Sequence, residues 1–372
     1  MAGALACALP LAACSDAEAP GFVTASGRSF QADGEPFRFV GFNLYDAAAT
    51  DRYSCSPDTA MTDGQLDAAL SFAREQAGAT VLRFWAYQTY TAAGTDWTGV
   101  DRVLAAAKRH GLRVLPVLED GPGNCTTTPD PEPKSEFQDD TWFSRGYLEP
   151  WGDATVSYRD YVAKIVAHYA DEPTILGWSM INEADTSARD ASGRSVLVDF
   201  AEDMGRVIHD ADPNHLVTVG TQSNGAPGAS GADFTQVYDV PEVDFAEVHD
   251  WGQWGADDEA MPGAAADGSL PEPGSQACQA RDAKIACSFA QARALGKPLV
   301  VGEAGIEATN SPARARRAEQ LGAKMTAAFA AGAAGYLVWH LNSAPTDGYD
   351  VVVGYDDPLL AALKAQAASL AR

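Results

Sequence analysis

Short apolar runs recur along the chain, separated by longer stretches in which apolar residues return every three or four positions. Each run is apolar nearly throughout and rich in β-branched and aromatic residues, as expected of parallel strands that are buried on both faces. The pattern predicts eight such strands, at residues 37–43, 80–85, 113–118, 175–182, 216–220, 244–249, 298–303 and 336–341.

The stretches between these runs carry the signals of amphipathic helices. Residues 63–77 place their apolar side chains on one helical face, and the same spacing in 100–107 is followed by Gly111, a typical helix terminator. Similar patterns occupy 156–169, 196–210, 279–295, 312–330 and 358–370, whereas 224–241 has only a weak helix signal. Eight strands alternating with helices predict a (β/α)8 TIM barrel, preceded by a short N-terminal β-hairpin that turns at Asp33-Gly34.

Polar, charged and aromatic residues stand at the C-terminal ends of the predicted strands, where a purely structural barrel needs none. That end of a TIM barrel carries the active site, and two long polar inserts, 121–150 and 251–276, begin there as well. The residues at these ends are Asn43, Arg83 and Trp85, Glu119 and Asp120, Asn182 and Glu183, Thr221 and Gln222, His249 and Trp251, Glu303, and Trp339 and Asn342.

Two glutamates, Glu183 and Glu303, each end an apolar strand, a position where a carboxylate is costly unless it has a function. Hydrolysis of a glycosidic bond with retention needs two such groups, one as general acid and base and one as nucleophile. We assign proton transfer to Glu183, which partial burial would keep protonated near neutral pH, and nucleophilic attack to Glu303. The alternative is that the two glutamates form unrelated surface salt bridges.

Four residues near the glutamates offer supporting roles. Arg83 would hold Glu303 as a carboxylate through charge-assisted hydrogen bonds, or it pairs with another carboxylate in the barrel. Asn182 would donate a hydrogen bond to the substrate 2-hydroxyl, an interaction that strengthens in the transition state. His249 would bond the acid/base glutamate, and Trp339 would present a flat apolar face to the sugar ring.

Four further strand-end residues belong to the predicted substrate site: Asn43, Trp85, Trp251 and Glu119. For Glu119, which is followed by a second acid, two interpretations stay open, contact with the substrate or anchoring of a loop. Trp178 lies in the middle of the fourth predicted strand, and we therefore expect it in the core rather than at the site.

The composition is that of a large and acidic globular protein. The chain has 372 residues, 46% of them hydrophobic, and a formal net charge of -25. This apolar content suffices for a large core in a single catalytic domain, which we place at residues 21–372. The negative charge disfavours nucleic acid and anionic membrane surfaces as partners.

The first twenty residues differ from the rest. Residues 1–13 are small and apolar, and Leu11-Ala12-Ala13-Cys14 resembles the lipobox of bacterial lipoproteins, in which the cysteine is lipidated. No Lys or Arg precedes the apolar run, unlike a full signal peptide. We predict a leader and tether at 1–20, a lipid anchor at Cys14, and an exported protein that is extracellular or a cell-surface lipoprotein of a bacterium.

Four cysteines follow the predicted leader, and an even number in an exported protein suggests two disulfide bonds. Three pairings are possible, of which we favour Cys55 with Cys125, tying two loops together, and Cys278 with Cys287 locally. No pair has zinc-ligand spacing with nearby histidines, so the sequence predicts no metal site.

Several motifs resemble those of glycoside hydrolase family 5, which comprises retaining barrel glycosidases. They include Val40-Gly41-Phe42-Asn43, Val81-Leu82-Arg83-Phe84-Trp85, Ile175-Leu176-Gly177-Trp178 followed by Asn182-Glu183, and the segments 212–220, 248–249, 297–303 and 335–339. These motifs span nearly the whole predicted mature chain in the family's order. The resemblance implies a double-displacement mechanism without metal or cofactor, with the same two glutamates as catalysts and with Arg83, Asn182, His249 and Trp339 at the cleaved bond.

Two positions depart from the family pattern. The family commonly has an aromatic hydroxyl bonded to the nucleophile two residues after the sixth-strand histidine, where this chain has Trp251. Tyr45 would replace that hydroxyl, or Glu303 is tuned differently. The third strand ends in Leu118-Glu119-Asp120 and lacks the histidine or paired asparagines seen in many members.

Within the family, the motifs at 83–85, 175–178 and 212–220 most resemble those of β-mannanases. The predicted function is therefore that of a monomeric endo-β-1,4-mannanase acting on a neutral β-linked polysaccharide or oligosaccharide. The alternatives are an endo-β-1,4-glucanase, an exo-acting β-glycosidase and, more remotely, a non-catalytic carbohydrate-binding barrel.

Overall fold

The computed structural model of the protein describes residues 21–54, 59–120, 140–151, 154–251 and 258–371, and its centre is a barrel of eight parallel strands. Numbered one to eight, these barrel strands are Phe39–Asn43, Val81–Trp85, Arg113–Val117, Gly177–Ser179, Leu216–Thr218, Ala246–Asp250, Leu299–Ala304 and Gly335–Val338. Each of the eight predicted runs overlaps one strand, and strand eight pairs with strand one. The predicted (β/α)8 barrel is confirmed.

The ring closes between strands five and six through backbone hydrogen bonds. The Asp244 N–H donates to the Val217 carbonyl at 2.8 Å, and the His249 N–H donates to the Gln222 carbonyl at 3.2 Å. The end of strand six is therefore fixed against the end of strand five. Beyond strand eight, a small parallel pair joins Leu341–Asn342 to Val351–Val352.

Helices surround the barrel. They are Asp63–Ala77, Thr98–His110, Asp140–Ser144, Tyr158–His168, Val196–Ala211, Ala232–Tyr238, Gln276–Gln279, Ile285–Leu295, Ser311–Ala331 and Pro358–Leu370, with 3-10 turns at Gln88–Thr91 and Gly146–Leu148. The first helix shows how local sequence sets such an element. Thr62 and Gln65 bond reciprocally at its N-terminus, and Gly78 ends it in the left-handed conformation at φ 68°.

A three-stranded antiparallel sheet covers the N-terminal end of the barrel. Its strands are Thr24–Ser26, Ser29–Ala32 and Glu35–Phe37, so the predicted hairpin is present and carries one additional strand. The ring of Phe30 lies 6.3 Å from that of Phe39, the first residue of strand one. It lies 5.4 Å from that of Phe245, the residue before strand six. This apolar packing closes the lower end of the barrel, and the functional side chains gather at the other end.

Three elements differ from the predicted pattern. The weakly patterned segment 224–241 contains the helix Ala232–Tyr238, and the predicted helix 279–295 is divided into Gln276–Gln279 and Ile285–Leu295. Strand four ends at Ser179 rather than at residue 182. There the chain turns away, since the Asn182 N–H bonds the Glu119 carbonyl and the next residue has a positive φ.

Cys278 and Cys287 form a disulfide bond between the two helices that replace the predicted one, which is the local pairing that the sequence favours. Cys55, Cys125 and the whole leader with Cys14 lie outside the described residues. Within the described ranges, none of the helices combines the length and the apolar character needed to cross a membrane.

Candidate active site

Arg83 is the centre of a buried ionic cluster at the C-terminal end of the barrel. It points into the barrel because it stands two residues beyond Val81, which packs in the lower core. Its Nη1 donates to Glu303 Oε1 at 2.7 Å and to Asn43 Oδ1 at 2.9 Å. Its Nη2 donates to Asn182 Oδ1 at 2.9 Å. One guanidinium thus joins strands one, two and seven to the segment after strand four.

Both carboxylate oxygens of Glu303 face N–H donors. Oε1 accepts from Arg83, and Oε2 accepts from the Trp251 indole at 3.1 Å and lies 3.5 Å from Nδ1 of His249. Gly305 leaves room for the indole, because a Cβ there would lie 2.5 Å from the Trp251 ring. An indole N–H can only donate, so it favours the ionised form of Glu303. Trp251 stands where the family commonly has an aromatic hydroxyl, and its indole N–H takes the place of that hydroxyl as the donor to Glu303.

Glu183 follows strand four in a left-handed backbone conformation, at φ 55°. A non-glycine residue in this region is uncommon, and surrounding contacts must hold it there. Its Oε1 lies 2.8 Å from Nδ1 of His249, and its side chain is 18% exposed. The Glu303 side chain is only 4% exposed, so Glu183 is the more accessible of the two glutamates.

The two glutamates lie close together, both on the Nδ1 side of His249. An oxygen of Glu183 and an oxygen of Glu303 are within 4.8 Å of each other. Retaining glycosidases hold their carboxyl groups about 5–5.5 Å apart, whereas inverting enzymes hold them roughly 6.5–9.5 Å apart to admit a water molecule. The arrangement therefore fits direct attack by one carboxylate on the sugar.

The surrounding carboxylates set the protonation state of His249. Burial lowers its pKa, but the charges of Glu303, Glu183 and Glu247 outweigh this effect and raise the pKa to about 9. At neutral pH His249 is therefore an imidazolium, with N–H groups on both ring nitrogens. Its Nδ1–H can donate to either glutamate at the site.

Glu303 and Glu247 are buried carboxylates that are opposed by two cations, Arg83 and His249. Burial raises the pKa of Glu303 above its ordinary value, although His249 and Arg83 counteract the shift. Burial also raises the pKa of Glu247, but there Arg83 and His249 prevail, and the pKa lies below its ordinary value. The positive charges of the two cations balance the negative charges of these two carboxylates. The cluster is therefore neutral when Glu183 carries a proton.

Two buried acids at the end of strand three hold Asn182 in place. Asp120 Oδ1 accepts from the Asn182 side chain at 3.1 Å, and the Glu119 carbonyl accepts from the Asn182 N–H at 2.7 Å. Burial raises the pKa of Glu119 to about 8, with the charge of Asp120 adding to the shift, so Glu119 is a neutral acid at neutral pH. The Glu119 side chain is buried and accepts from the Asp120 N–H at 3.2 Å, which favours the anchoring interpretation over contact with the substrate.

An aromatic wall adjoins the glutamates. Tyr45 stacks on Trp339 with ring centroids 5.3 Å apart and packs against Trp85 at 4.6 Å. Trp251 lies 5.6 Å from Trp339. Trp85 is buried, whereas Trp339, Trp251 and Tyr45 are partly exposed, so a ligand can reach these three rings. Tyr45 belongs to this wall, and the donor to the nucleophile candidate is Trp251.

Glu247 is a further residue of the site that was not predicted from the sequence. This residue lies inside strand six, where its Oε1 is 3.1 Å from Arg83 Nε, and its Oε2 accepts from Ser179 Oγ at 3.0 Å. The available signal was a lone glutamate within an apolar run, two residues before His249. Trp178, in contrast, lies in the core as expected.

Two groups of side chains in the described part of the chain have the spacing of a metal site: Glu183, His249 and Glu303, and His340, Asp347 and Asp350. Contacts within the protein already occupy their carboxylates. Arg83 and Trp251 bind Glu303, and the backbone N–H groups of Thr346 and Asp347 bind Asp350. We interpret both groups as ionic networks of the protein.

Known proteins with similar sequences and structures are consistent with this architecture. A family model described as GH family 5 beta-mannosidase-like matches residues 150–331, which include Asn182, Glu183, His249 and Glu303. Over these residues, just under half of its length, the chain is similar to glycoside hydrolase family 5. The family resemblance seen in the sequence is thereby confirmed.

Curated relatives of the chain include mannan endo-1,4-beta-mannosidases. It is 28% identical over 280 residues to the probable mannan endo-1,4-beta-mannosidase C of Aspergillus terreus, covering 63% of this chain and 65% of that protein. It is 28% identical over 282 residues to mannan endo-1,4-beta-mannosidase 1 of Oryza sativa subsp. japonica, covering 65% and 62%. The chain thus spans just under two thirds of the length of these relatives.

A solved structure shares the fold along nearly the whole chain. The endo-1,4-beta-mannanase from Rhizomucor miehei superimposes with a TM-score of 0.66 at 17% identity, covering 94% of this chain and 99% of that one. At this identity the match shows the barrel fold alone.

The prediction of a bacterial lipoprotein is wrong. The curated relatives are proteins of fungi and plants, among which lipobox anchoring does not operate. The four-residue match at Cys14 lies in an alanine-rich stretch, where such a short motif of small residues arises readily from composition.

Proposed function

We propose that this protein is a family 5 retaining β-glycosidase that cleaves β-1,4-mannan at internal bonds of the polysaccharide, with residues 21–372 as one catalytic domain. The observation that carries the proposal is the pair of carboxylates, whose oxygens lie within 4.8 Å at the C-terminal end of the barrel. This spacing supports a nucleophile and a proton donor acting on the same glycosidic bond. A barrel that only binds sugar would not need two glutamates around a buried imidazolium.

In the first step Glu303 is the nucleophile. Its carboxylate attacks the anomeric carbon while the Glu183 carboxyl gives its proton to the glycosidic oxygen, so the bond to the leaving sugar breaks as the bond to Glu303 forms. Arg83 and Trp251 hold the attacking carboxylate in one orientation, because each binds a different oxygen. The result is a covalent glycosyl-enzyme and a released sugar chain.

In the second step Glu183 is the base. Now a carboxylate, it takes a proton from a water molecule whose oxygen attacks the anomeric carbon and releases Glu303. The imidazolium of His249, 2.8 Å from Glu183, stabilises the negative charge that Glu183 carries between the two steps. Two inversions at the same carbon give a product with retained configuration.

The substrate is held by Asn182 and by the accessible rings of the aromatic wall. Arg83 and Asp120 orient the Asn182 side chain, which suits it to a hydrogen bond with the sugar 2-hydroxyl. The half-buried faces of Trp339 and Trp251 suit apolar contact with the sugar ring. The assignment to β-1,4-mannan is supported by the similarity of the chain to mannan endo-1,4-beta-mannosidases.

The test is product analysis with purified protein on β-1,4-mannan, glucomannan, carboxymethylcellulose and mixed-linkage β-glucan. We expect short manno-oligosaccharides of several lengths from mannan, and NMR during the first minutes should show the β-anomer as the initial product. Mannose alone would indicate exo-acting cleavage. Initial α-anomer would contradict the retaining mechanism, and activity confined to the glucans would contradict the substrate assignment.

The Trp251 indole offers a second test of how the nucleophile is held. Trp251→Phe keeps an aromatic ring but removes the hydrogen bond to Glu303, and a bond to a charged group contributes about 1.5–3 kcal/mol. We expect kcat to fall about 10- to 100-fold, and Trp251→Tyr, which supplies a hydroxyl donor, to recover part of the loss. Equal kcat values for the Phe variant and the parent protein would show that the indole N–H is dispensable.

A further inference from the structure

Glu247 is a third glutamate of the cluster, and it cannot touch the substrate because its side chain is completely buried. Its Oε1 lies 3.1 Å from Arg83 Nε and 3.5 Å from His249 Nε2, and its Oε2 accepts from Ser179 at 3.0 Å. It therefore contacts the two cations that bind the catalytic glutamates.

The neighbouring backbone is built to admit this carboxylate. Gly302 directly precedes Glu303 on strand seven, and a Cβ at Gly302 would lie 2.1 Å from Glu247 Oε1. Any larger residue there would displace the carboxylate from its place between strands two, six and seven. A buried carboxylate is costly unless its partners are well placed, and Glu247 has a partner on three sides.

We propose that Glu247 is a positioning residue that keeps His249 as a doubly protonated imidazolium, with Nε2–H directed at Glu247 and Nδ1–H directed at Glu183 and Glu303. This inference rests on the proposed function, since it assigns His249 a task in the acid/base cycle of Glu183. A neutral imidazole has one N–H only, and either nitrogen can carry it. With the Glu247 carboxylate facing Nε2, both ring nitrogens carry a proton, so Nδ1 always has an N–H to donate.

The charges around His249 come from four strands. Glu247 belongs to its own strand, Glu183 follows strand four, Glu303 ends strand seven, and Arg83 of strand two bridges to two of these acids. The acid next in the chain, Asp250, pairs instead with Lys324 at 3.1 Å. Glu247 is the acid on the Nε2 side of the ring, and the two catalytic candidates are on the Nδ1 side.

The consequence is a defined pH range for activity. His249 has its pKa raised to about 9, so the imidazolium is present below that value and is lost as the pH rises through it. Without the charge of Glu247 the imidazolium is less stable, and the loss begins at lower pH. One opposite charge in contact shifts a pKa by about 1–3 units, which sets the size of the expected change.

The first experiment reads the ring directly. ¹⁵N NMR of the full protein is titrated from pH 5 to 10, and we expect His249 to stay an imidazolium beyond pH 8 in the parent and to titrate about one to two pH units lower in Glu247→Gln. An unchanged titration in the variant would overturn the proposal, as would a parent His249 that titrates near its ordinary value. This measurement needs no substrate, so it stands apart from any failure of the proposed glycosidase activity.

The second experiment is the pH profile of kcat on mannan. Glu247→Gln is expected to move the alkaline limb down by a similar amount, with kcat at pH 5–6 within about tenfold of the parent and KM little changed. A uniform loss of kcat at every pH would instead mean that Glu247 is only a packing residue, which contradicts the proposal. If Glu247→Gln does not fold, Glu247→Asp keeps the charge at a greater distance, and a smaller shift of the same sign is expected.

Asp212→Asn is the matched control. Asp212 is also a buried carboxylate bound to a histidine, at 2.6 Å from Nδ1 of His215, but it lies just before strand five at the opposite end of the barrel. Its loss should lower the stability of the protein and leave the alkaline limb of the kcat profile in place. A shift in this control equal to that of Glu247→Gln would show that the limb reports stability, and the inference would fail.

Discussion

Glu303→Gln is expected to lower kcat on mannan by on the order of 10⁴-fold or more, the largest effect of any single change in this chain. The amide is a poor nucleophile, so the glycosyl-enzyme cannot form. The amide NH₂ would also meet the N–H donors of Trp251 and His249 if it replaced Oε2, which leaves those donors without an acceptor. The overall fold should persist, because Gln has the size of Glu and Arg83 keeps Glu247 as an ionic partner.

Glu183→Gln is expected to lower kcat by about 10²–10⁴-fold, since it removes proton transfer but leaves the nucleophile in place. The loss should be smaller for substrates with an activated leaving group, which departs without a proton. That difference between substrates is absent for Glu303→Gln, because attack is then lost for every substrate.

Azide separates the two roles. In Glu183→Ala the added anion can attack the glycosyl-enzyme in place of water, and the expected product is the β-glycosyl azide with retained configuration. In Glu303→Ala it can replace the missing nucleophile directly, and the expected product is the α-glycosyl azide. Exchanged outcomes would exchange the two assignments, and near-parental activity in either Gln variant would overturn the catalytic pair. Thermal unfolding of each variant is the control for folding.

The barrel and the proximity of the two candidate glutamates could be predicted from sequence because each depends on local patterns. Apolar runs such as 80–85 and 298–303 mark strands that are buried on both faces, and a charged residue at the end of such a run is conspicuous. A charged residue in the middle of an apolar run is not recognised by this criterion. Glu247 cannot be recognised in this way, because an acid in the middle of an apolar strand has no local explanation and its partners Arg83 and His249 come together only in the closed barrel.

The role of Trp251 shows a different limit. An indole has no hydroxyl group, so residue type alone predicts that the hydrogen bond from this position to Glu303 is absent. In the structure the Trp251 indole N–H donates to Glu303 at 3.1 Å, and Gly305 leaves room for the larger ring. The distance and the available space are tertiary properties, and neither can be read from the spacing of residues 249, 251 and 303.

The burial of Glu119 was likewise undetermined by sequence. An acid at the end of a predicted strand can face either the site or the neighbouring segment, and only the path of the chain after strand four decides. The positive φ of Glu183 turns Asn182 toward the end of strand three, where it meets the Glu119 carbonyl and the Asp120 side chain. The anchoring role of this acid pair follows from that turn.

Arg83→Met is expected to combine a large loss of stability with a loss of activity. The substitution leaves Glu247 and Glu303 buried beside each other with His249 as their remaining cation, and breaking a buried ion pair on one side costs about 3–5 kcal/mol. Urea denaturation measures this cost. The double variant Arg83→Met/Glu247→Gln removes one of the stranded carboxylates, so it should recover part of the unfolding free energy. A double variant less stable than Arg83→Met would contradict the charge balance described for the cluster.

The same variant tests the charge of the nucleophile. Without the guanidinium at 2.7 Å, the pKa of Glu303 should rise further, because burial already raises it and Arg83 is one of the two groups that oppose the shift. Ionised Glu303 is then present only at higher pH, so the acidic limb of the kcat profile should move up. Arg317→Met is the matched control, because Arg317 is equally buried and pairs with Asp357 on the outer helices. It should lose stability by a similar amount without moving the acidic limb, and a limb that stays in place in Arg83→Met as well would show that Arg83 does not set the ionisation of Glu303.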